Sequence, residues 1–319
     1  MNNLLEIKDL SVHFQVPGSR GILKAVDGIS FNVERGKTFG LVGESGCGKS
    51  TTGFALLQLI KPTFGQIIFD GIHLNQLSLS SLRPIRRKLQ IIFQDAHASL
   101  NPRMSIGEIV GEALDIHKLY QGKIRGKRIY ELLDMVGLAS HLITRFPHEL
   151  SGGQAQRVAI CRALAVEPEL IVCDEPVSAL DVSIQAQIIN LLKDLQEKFN
   201  LTYIFISHDL SVVRHMSDRV AVMYLGNIIE LADKNDIYFS AAHPYTQALL
   251  SAVPVIDPDA HLQRVILSGD LPNPLNPPSG CRFRTRCPVA IPRCEETVPP
   301  EILINPHHWA KCIKLNQAT

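Results

Sequence analysis

A chain of 319 residues with 45% hydrophobic and 20% charged side chains can bury a core and is not of disordered composition, and its length allows about two domains. Lys and Arg number 32 against 31 Asp and Glu, a net charge of +1, so no strong field exists to hold nucleic acid or anionic lipid and no nucleic-acid partner is expected. No apolar run reaches the ~18 residues that cross a bilayer, and the start, MNNLLEIKDL, does not read as a secretory leader; the chain is expected to span nothing.

From Leu4 to Leu231 short aliphatic and β-branched runs alternate with helical stretches, the pattern of an α/β fold around a largely parallel sheet. Strands are expected at Leu4–Val12, Ile29–Val33, Thr38–Val42, Gln66–Phe69, Leu89–Phe93, Leu170–Cys173, Tyr203–Ile206, Arg219–Tyr224 and Asn227–Glu230. Several are unbroken apolar runs, as strands covered on both faces require. The rhythm stops between Leu100 and Leu150. There Ile106–Leu114 and Arg128–Val136 carry apolar residues at helical spacing and read as a helical insertion. After Ser251 prolines concentrate, and LPNPLNPPSG can continue neither a helix nor a central strand. A linker and a small Cys-rich tail are expected there. Cys281, Cys287, Cys294 and Cys312 fall in that tail and suggest metal ligation or reduced thiols rather than disulfides.

Thr38–Val42 runs into Gly43, Glu44, Ser45, Gly46, Cys47, Gly48, Lys49, Ser50 and Thr51, which fits G-x-x-x-x-G-K-[ST] where a buried strand turns into a helix. Glycines let backbone N–H groups close on phosphate oxygens, and a helix starting near Lys49 directs its positive dipole end at the same anion. Lys49 is expected to pair with the β- and γ-phosphates and Ser50 to ligate Mg²⁺. A second anion-directed helix start is Ser151, Gly152, Gly153 and Gln154, ahead of the helical run Ala155–Val166. Ser is a favoured N-cap, and the two glycines leave the first N–H groups sterically open; alone, the same residues also describe an ordinary capped helix. Residues 169–175, ELIVCDE, form an apolar strand ending in two acids. Asp174 is placed to reach the Mg²⁺ shell and Glu175 to polarise a water for attack on the γ-phosphate, although an Asp-Glu pair at a strand end is also common on surfaces.

GESGCGKST, LSGGQ, the strand ending in Asp174 and Glu175, SALD and SHD stand in the order and spacing of the ATP-binding cassette (ABC) ATPases, which residues 4 to 231 resemble. The resemblance implies a P-loop NTPase core with an antiparallel β subdomain and an inserted helical subdomain near residues 100–165, together forming a nucleotide-binding domain over 1–253. It implies a head-to-tail dimer in which Ser151 to Gln154 of one subunit close on ATP held by the phosphate loop of the other. Gln94 in IIFQD matches the family glutamine that senses Mg²⁺ and the attacking water. His208 in FISHD matches the switch histidine that hydrogen-bonds the γ-phosphate, and Asp181 matches the aspartate of the D-loop. Phe14 is the candidate for the aromatic residue that stacks on adenine, beside a stretch, VPGSRGILKAV, lengthened against the family pattern.

LNPRMSIGEIV, RFPHELSGGQAQRVAICRAL, CDEPVSALDVSIQAQIINLL, HPYTQALLSAVP and PPSGCRFRTRCP resemble, over nearly the whole chain, the oligopeptide/dipeptide importer ATPases, in particular the member of the unequal ATPase pair with intact LSGGQ and DEPVSALD. This implies a subunit on the cytoplasmic face of the membrane, docked on two membrane-spanning permeases, with a second homologous ATPase and an extracytoplasmic peptide-binding protein. Nickel or other metal chelates and antimicrobial peptides are the alternative cargoes. For the tail, 254–319, it implies a [4Fe–4S] cluster on the four cysteines, with Zn²⁺ as the alternative and His307 and His308 as reserve ligands; Arg282, Arg284 and Arg286 are placed to offset the thiolate charge. A single cassette, no heptads and no basic surface set the chain apart from soluble ABC ATPases of translation or DNA repair, and Glu175 with His208 argues against a non-hydrolysing module.

Overall fold

The computed structural model describes residues 3–16, 18, 21–253, 267 and 269–317. Most of the expected linker after residue 253 therefore lies outside the described residues. In chain order the strands are β1 (Asn3–Gln15), β2 (Ile22–Glu34), β3 (Thr38–Val42), β4 (Phe64–Phe69), β5 (Ile72–His73), β6 (Leu89–Ile92), β7 (Leu170–Asp174), β8 (Thr202–Ser207), β9 (Arg219–Tyr224), β10 (Asn227–Asp233), β11 (Ile302–Asn305) and β12 (His308–Ala310). The helices are α1 (Lys49–Leu56), α2 (Leu79–Lys88), α3 (Ala96–Ser99), α4 (Ile106–Ile116), α5 (Lys123–Met135), α6 (Gly152–Leu164), α7 (Val182–Phe199), α8 (Leu210–Met216), α9 (Lys234–Ser240), α10 (Pro244–Ser251) and α11 (Arg293–Glu296). They fall into two compact units, one of Met1–Leu4, Glu34–Lys37 and Gln76–Phe205, the other of Leu5–Val33, Thr38–Asn75 and Ile206–Thr319.

In the first unit β6 and β7 run parallel, Leu89 opposite Leu170 and Ile92 opposite Cys173. Every residue of β7 and of β8 is buried, which explains why both read as unbroken apolar runs. The expected helical insertion is present. A capping box fixes the start of α4, with the Glu108 carboxylate accepting from Ser105 N–H at 2.7 Å, and its apolar stripe of Ile106, Ile109, Val110 and Leu114 is buried where α4 packs on α6. Helix α5 starts at Lys123, ahead of the expected Arg128, because its first turns face solvent and carry no apolar periodicity.

The second unit holds an antiparallel sheet and the strands around the phosphate loop. The antiparallel sheet has the order β2-β1-β4-β5, with Leu5 opposite Phe69 and Ile7 opposite Ile67. Strand β2 begins at Ile22 rather than at the expected Ile29: Lys24 and Asp27 lie within an alternating, half-exposed strand that a search for apolar runs passes over. Strand β3 pairs parallel with β9, Val42 opposite Val222. The tail also joins a sheet. Strand β12 pairs antiparallel with β10, Leu231 opposite Trp309, and β11 completes the hairpin. No helix among the described residues is long and apolar enough to cross a membrane.

Candidate functional site

In the second unit the buried strand β3 delivers the chain into Gly43–Thr51, and α1 starts at Lys49 as expected. Two of the glycines are required by space. A Cβ on Gly43 would lie 2.3 Å from the Met223 carbonyl oxygen, and one on Gly48 would lie 2.1 Å from that of Ala25. Gly48 also has φ +108, a conformation L-residues rarely adopt. The loop thus lies pressed against β9 and β2, with Ser45 and Gly46 exposed at its tip. Lys49 is buried at 4% exposure, and its ammonium donates to the carbonyls of Gly43 (2.8 Å) and Glu44 (3.1 Å), so the lysine spans the loop it belongs to. Cys47 is buried and burial pushes its thiol up, so it is an inert small hydrophobe here. Ser50 and Thr51 are half-buried at the start of α1. His208 is exposed directly after β8, where Asp209 caps α8 by accepting from Ser211 N–H at 2.8 Å. Phe14 stands on β1, 37% exposed.

In the first unit the structure brings Gln94 and Glu175 together: Gln94 Nε2 donates to Glu175 Oε2 at 3.2 Å. Asp174 is buried at the end of β7, and Glu175 follows it in the left-handed region, φ +46. A non-glycine residue there stores strain of ~1–2 kcal/mol. The turn after it is fixed by Ser178, whose hydroxyl donates to the Glu175 carbonyl at 3.1 Å. Asp181 then occupies the N-cap of α7 without a side-chain cap bond, leaving its carboxylate to other partners.

Helix α6 starts at Gly152, with Ser151 as the N-cap that the sequence indicates, and continues through the helical run from Ala155. The Ser151 hydroxyl accepts from Gln154 N–H (3.3 Å) and the Gln154 side chain accepts from Ser151 N–H (3.0 Å), a complete capping box. One of the N–H donors expected to face an anion is thus satisfied internally. The two glycines have a packing reason besides openness: a Cβ on Gly153 would meet Ile184 at 2.7 Å and one on Gly152 would meet Leu180 at 3.2 Å.

Comparison with known proteins decides the family. The family model described as ABC transporter matches residues 26–178, and that described as oligopeptide/dipeptide transporter, C-terminal region, matches residues 229–294. The chain is 52% identical over 317 residues to the oligopeptide transport ATP-binding protein AppF of Bacillus subtilis (strain 168), covering 97% of this chain and 96% of that one. The chain belongs to the ABC transporter family. It is likewise 50% identical over 324 residues to the oligopeptide transport ATP-binding protein OppF of Escherichia coli (strain K12), covering 98% and 96% of the two chains. Among solved structures it is similar to the ATP-binding cassette MJ0796, a dimer in a post-hydrolysis state bound to ADP and Pi, with TM-score 0.66 and 32% identity over 72% of this chain and 98% of that one. The protein is therefore an ABC ATPase, with ATP as its substrate.

The tail of this ABC ATPase departs from expectation in three ways. Cys281, Cys287, Cys294 and Cys312 do line one cavity, of about 10 Å³, with Phe283 and Ile313. A four-thiol donor set suits a soft metal, yet among the described residues no three His, Cys, Asp or Glu side chains are placed so as to hold a metal ion. Burial pushes the thiols of Cys281 (to about 11), Cys287 and Cys312 up, so without a metal these three are protonated. The arginines, secondly, are committed to carboxylates rather than to the thiols. Arg282 donates to Asp27 and to the Leu225 carbonyl, Arg284 pairs with Glu295 at 3.2 Å, and Arg286 pairs with Glu44. Thirdly, His308 is no spare ligand. Its Nε2 lies 2.7 Å from the fully buried Glu230 carboxylate, which also accepts from the N–H groups of Ala242 (2.6 Å) and His243 (3.0 Å). His307 is exposed on the β11–β12 turn. Glu230 has no signal in the sequence: its partner His308 is far away along the chain, and no periodicity marks it.

Proposed function

We propose that this chain is the ATP-hydrolysing subunit of an importer of dipeptides and oligopeptides, working at the cytoplasmic face of a membrane. The observation that carries the reading is the identity of about half of all positions, across both the cassette and the Cys-bearing tail, with two proteins named as oligopeptide transport ATP-binding proteins. In this reading two cassettes, this one and a homologous subunit, meet head to tail. ATP is held by Gly43 to Thr51 of one and completed by Ser151, Gly152, Gly153 and Gln154 of the other, with Asp181 facing the same interface. The partners are two membrane-spanning permeases and, through them, an extracytoplasmic peptide-binding protein.

Glu175 takes the proton of the attacking water, and Gln94, already hydrogen-bonded to it, orients that water. His208 contacts the γ-phosphate and Phe14 the adenine. Lys49 turns from its own loop carbonyls to the phosphates, gaining two charged partners for two neutral ones. Ser50, Gln94 and Asp174 offer only oxygen donors, the set that suits Mg²⁺, and Asp174 is buried with its carboxylate at the strand end. When bound, Mg²⁺ supplies charge that screens the triphosphate during transfer.

The cargo is tested by reconstituting the ATPase pair with its permeases and binding protein in vesicles. ATP-dependent accumulation of a labelled tripeptide is the expected result. Uptake of a nickel chelate with none of tri- or dipeptide would overturn the cargo. The metal centre, [4Fe–4S] or Zn²⁺, is tested separately by metal analysis of protein purified without oxygen. The four thiols share the lining of one cavity without forming a ligand set, so the centre rests on the resemblance of the tail; chelator-resistant iron with a broad visible absorption band, or one zinc per chain, would establish it. Metal-free protein in which Cys281, Cys287, Cys294 and Cys312 all react with a thiol reagent would remove it.

A further inference from the structure

The phosphate loop and the Cys-bearing tail are joined at one residue. Glu44, next to the first glycine of the loop, receives both arms of the Arg286 guanidinium, at 2.7 Å on one carboxylate oxygen and 3.0 Å on the other. The pair is well shielded, with Arg286 10% and Glu44 27% exposed. Fork-to-fork pairing of this kind fixes the orientation of a carboxylate as well as neutralising it. The same residue is tied by its backbone: its N–H donates to the Tyr245 hydroxyl at 3.1 Å, and its carbonyl accepts from the Lys49 ammonium at 3.1 Å. Glu44 thus links Arg286 on one side to the phosphate-binding lysine on the other.

Arg286 is itself anchored. Phe283, buried three residues earlier, packs edge-on against Tyr224 and Tyr245, each at 5.3 Å between ring centres. The neighbouring Arg282 binds Asp27 on β2 and the Leu225 carbonyl. Phe283 and Arg282 therefore hold residues 282–286 against β2, the end of β9 and α10, beside the loop. An acid in a loop built for a triphosphate is otherwise adverse, because like charges in a partly shielded site repel with little screening.

From this geometry we infer that Arg286 is a positioning residue for ATP binding. Through Glu44 it fixes the course of the phosphate loop and cancels the one negative charge the loop carries. The C-terminal segment is then a working part of the nucleotide site. The inference rests on the reading of residues 43–51 as the ATP cradle, and the experiment separates the two.

Full-length protein is titrated with a fluorescent ATP analogue, and KM and kcat are measured on the assembled ATPase pair, for wild type, Lys49→Ala, Arg286→Ala, Arg286→Lys and the double variant Arg286→Ala with Glu44→Gln. Arg286→Ala is expected to raise Kd and KM for ATP about tenfold, or about 1.4 kcal/mol, with the loss falling on KM rather than on kcat and shrinking as salt is raised. Arg286→Lys, which restores charge without the fork, should recover part of it. The double variant, which removes the stranded carboxylate charge, should recover most of it. Without nucleotide, amide hydrogen exchange at residues 44–48 should be faster in Arg286→Ala, while the melting temperature shows that the variant is folded. Wild-type affinity in Arg286→Ala overturns the inference, and so does a double variant no better than Arg286→Ala, the mark of a brace without electrostatic effect. If Lys49→Ala binds ATP as well as wild type, the cradle reading itself falls; if Lys49→Ala loses ATP and Arg286→Ala does not, only the inference falls.

Discussion

Glu175→Gln is expected to lower ATP turnover by about 10²–10⁴-fold, the usual worth of a positioned general base, while leaving ATP binding within a few-fold of wild type. The carboxamide keeps the size of the side chain and an oxygen that can still accept from Gln94 Nε2, now 3.2 Å from Glu175 Oε2. It cannot accept a proton from water. Nothing in the phosphate loop is changed, since Gly43 and Gly48 are set by the Met223 and Ala25 carbonyls and Lys49 by loop carbonyls. The variant should therefore load ATP and stall, and in the head-to-tail arrangement it should accumulate as the nucleotide-bound dimer. Single-turnover hydrolysis read beside an equilibrium nucleotide titration checks both halves. Turnover within about fivefold of wild type, far short of what a positioned base supplies, would show that another group takes the proton.

The backbone at Glu175 bears on how tightly that base is placed. With φ +46 the residue stands outside the ordinary strand and helix regions, and such strain persists only where surroundings over-determine it. Here Ser178 closes the turn on the Glu175 carbonyl from both its hydroxyl (3.1 Å) and its N–H (3.3 Å). A strand end that is buried through Asp174 and then kinked at once directs the next side chain away from the strand line. The motif thus supplies both a carboxylate and its direction.

Much of this was written in local patterns. Thr38–Val42 and Arg219–Tyr224 have the ends that the sequence indicates, because each largely apolar run follows a charged residue, Lys37 or Asp218, and stops directly at a glycine, Gly43, or one residue short of one, Gly226. The phosphate loop and the Ser151 cap are signalled by residue type alone, since only glycine fits the one and a small hydroxyl side chain suits the other. Strand β2 was half hidden because its exposed face is charged, and α2 because Pro84 lies inside it. The strands of the hairpin β11–β12, four and three residues long, are too short for any period to register. The pairings Arg286 with Glu44 and His308 with Glu230 join residues 242 and 78 positions apart, and no spacing rule reaches that far. Arginines between cysteines suggested charge compensation for the nearest anions in sequence. The fold supplied nearer anions in space.

Substitution of the loop glycines separates conformation from space. Gly46 has φ +79, but a Cβ there would meet nothing within 4 Å. Gly46→Ala should therefore cost only the left-handed penalty of ~1–2 kcal/mol, an affinity loss of about tenfold. Gly48 has φ +108, and a Cβ there would lie 2.1 Å from the Ala25 carbonyl oxygen and 3.2 Å from Met223 Cε. Backbone cannot yield as the end of a side chain can. The Gly48 carbonyl also accepts from the Thr52 N–H (2.9 Å) and hydroxyl (3.0 Å), so moving it unravels the first turn of α1 and carries Lys49 with it. Gly48→Ala should weaken ATP binding by at least about 100-fold, or ~3 kcal/mol, and lower the melting temperature by more than Gly46→Ala does. Nucleotide titration and thermal unfolding of the two variants side by side make the comparison. Equal losses would mean that conformation alone sets the loop; wild-type binding in Gly48→Ala would mean that β2 does not press on it as the Ala25 contact requires.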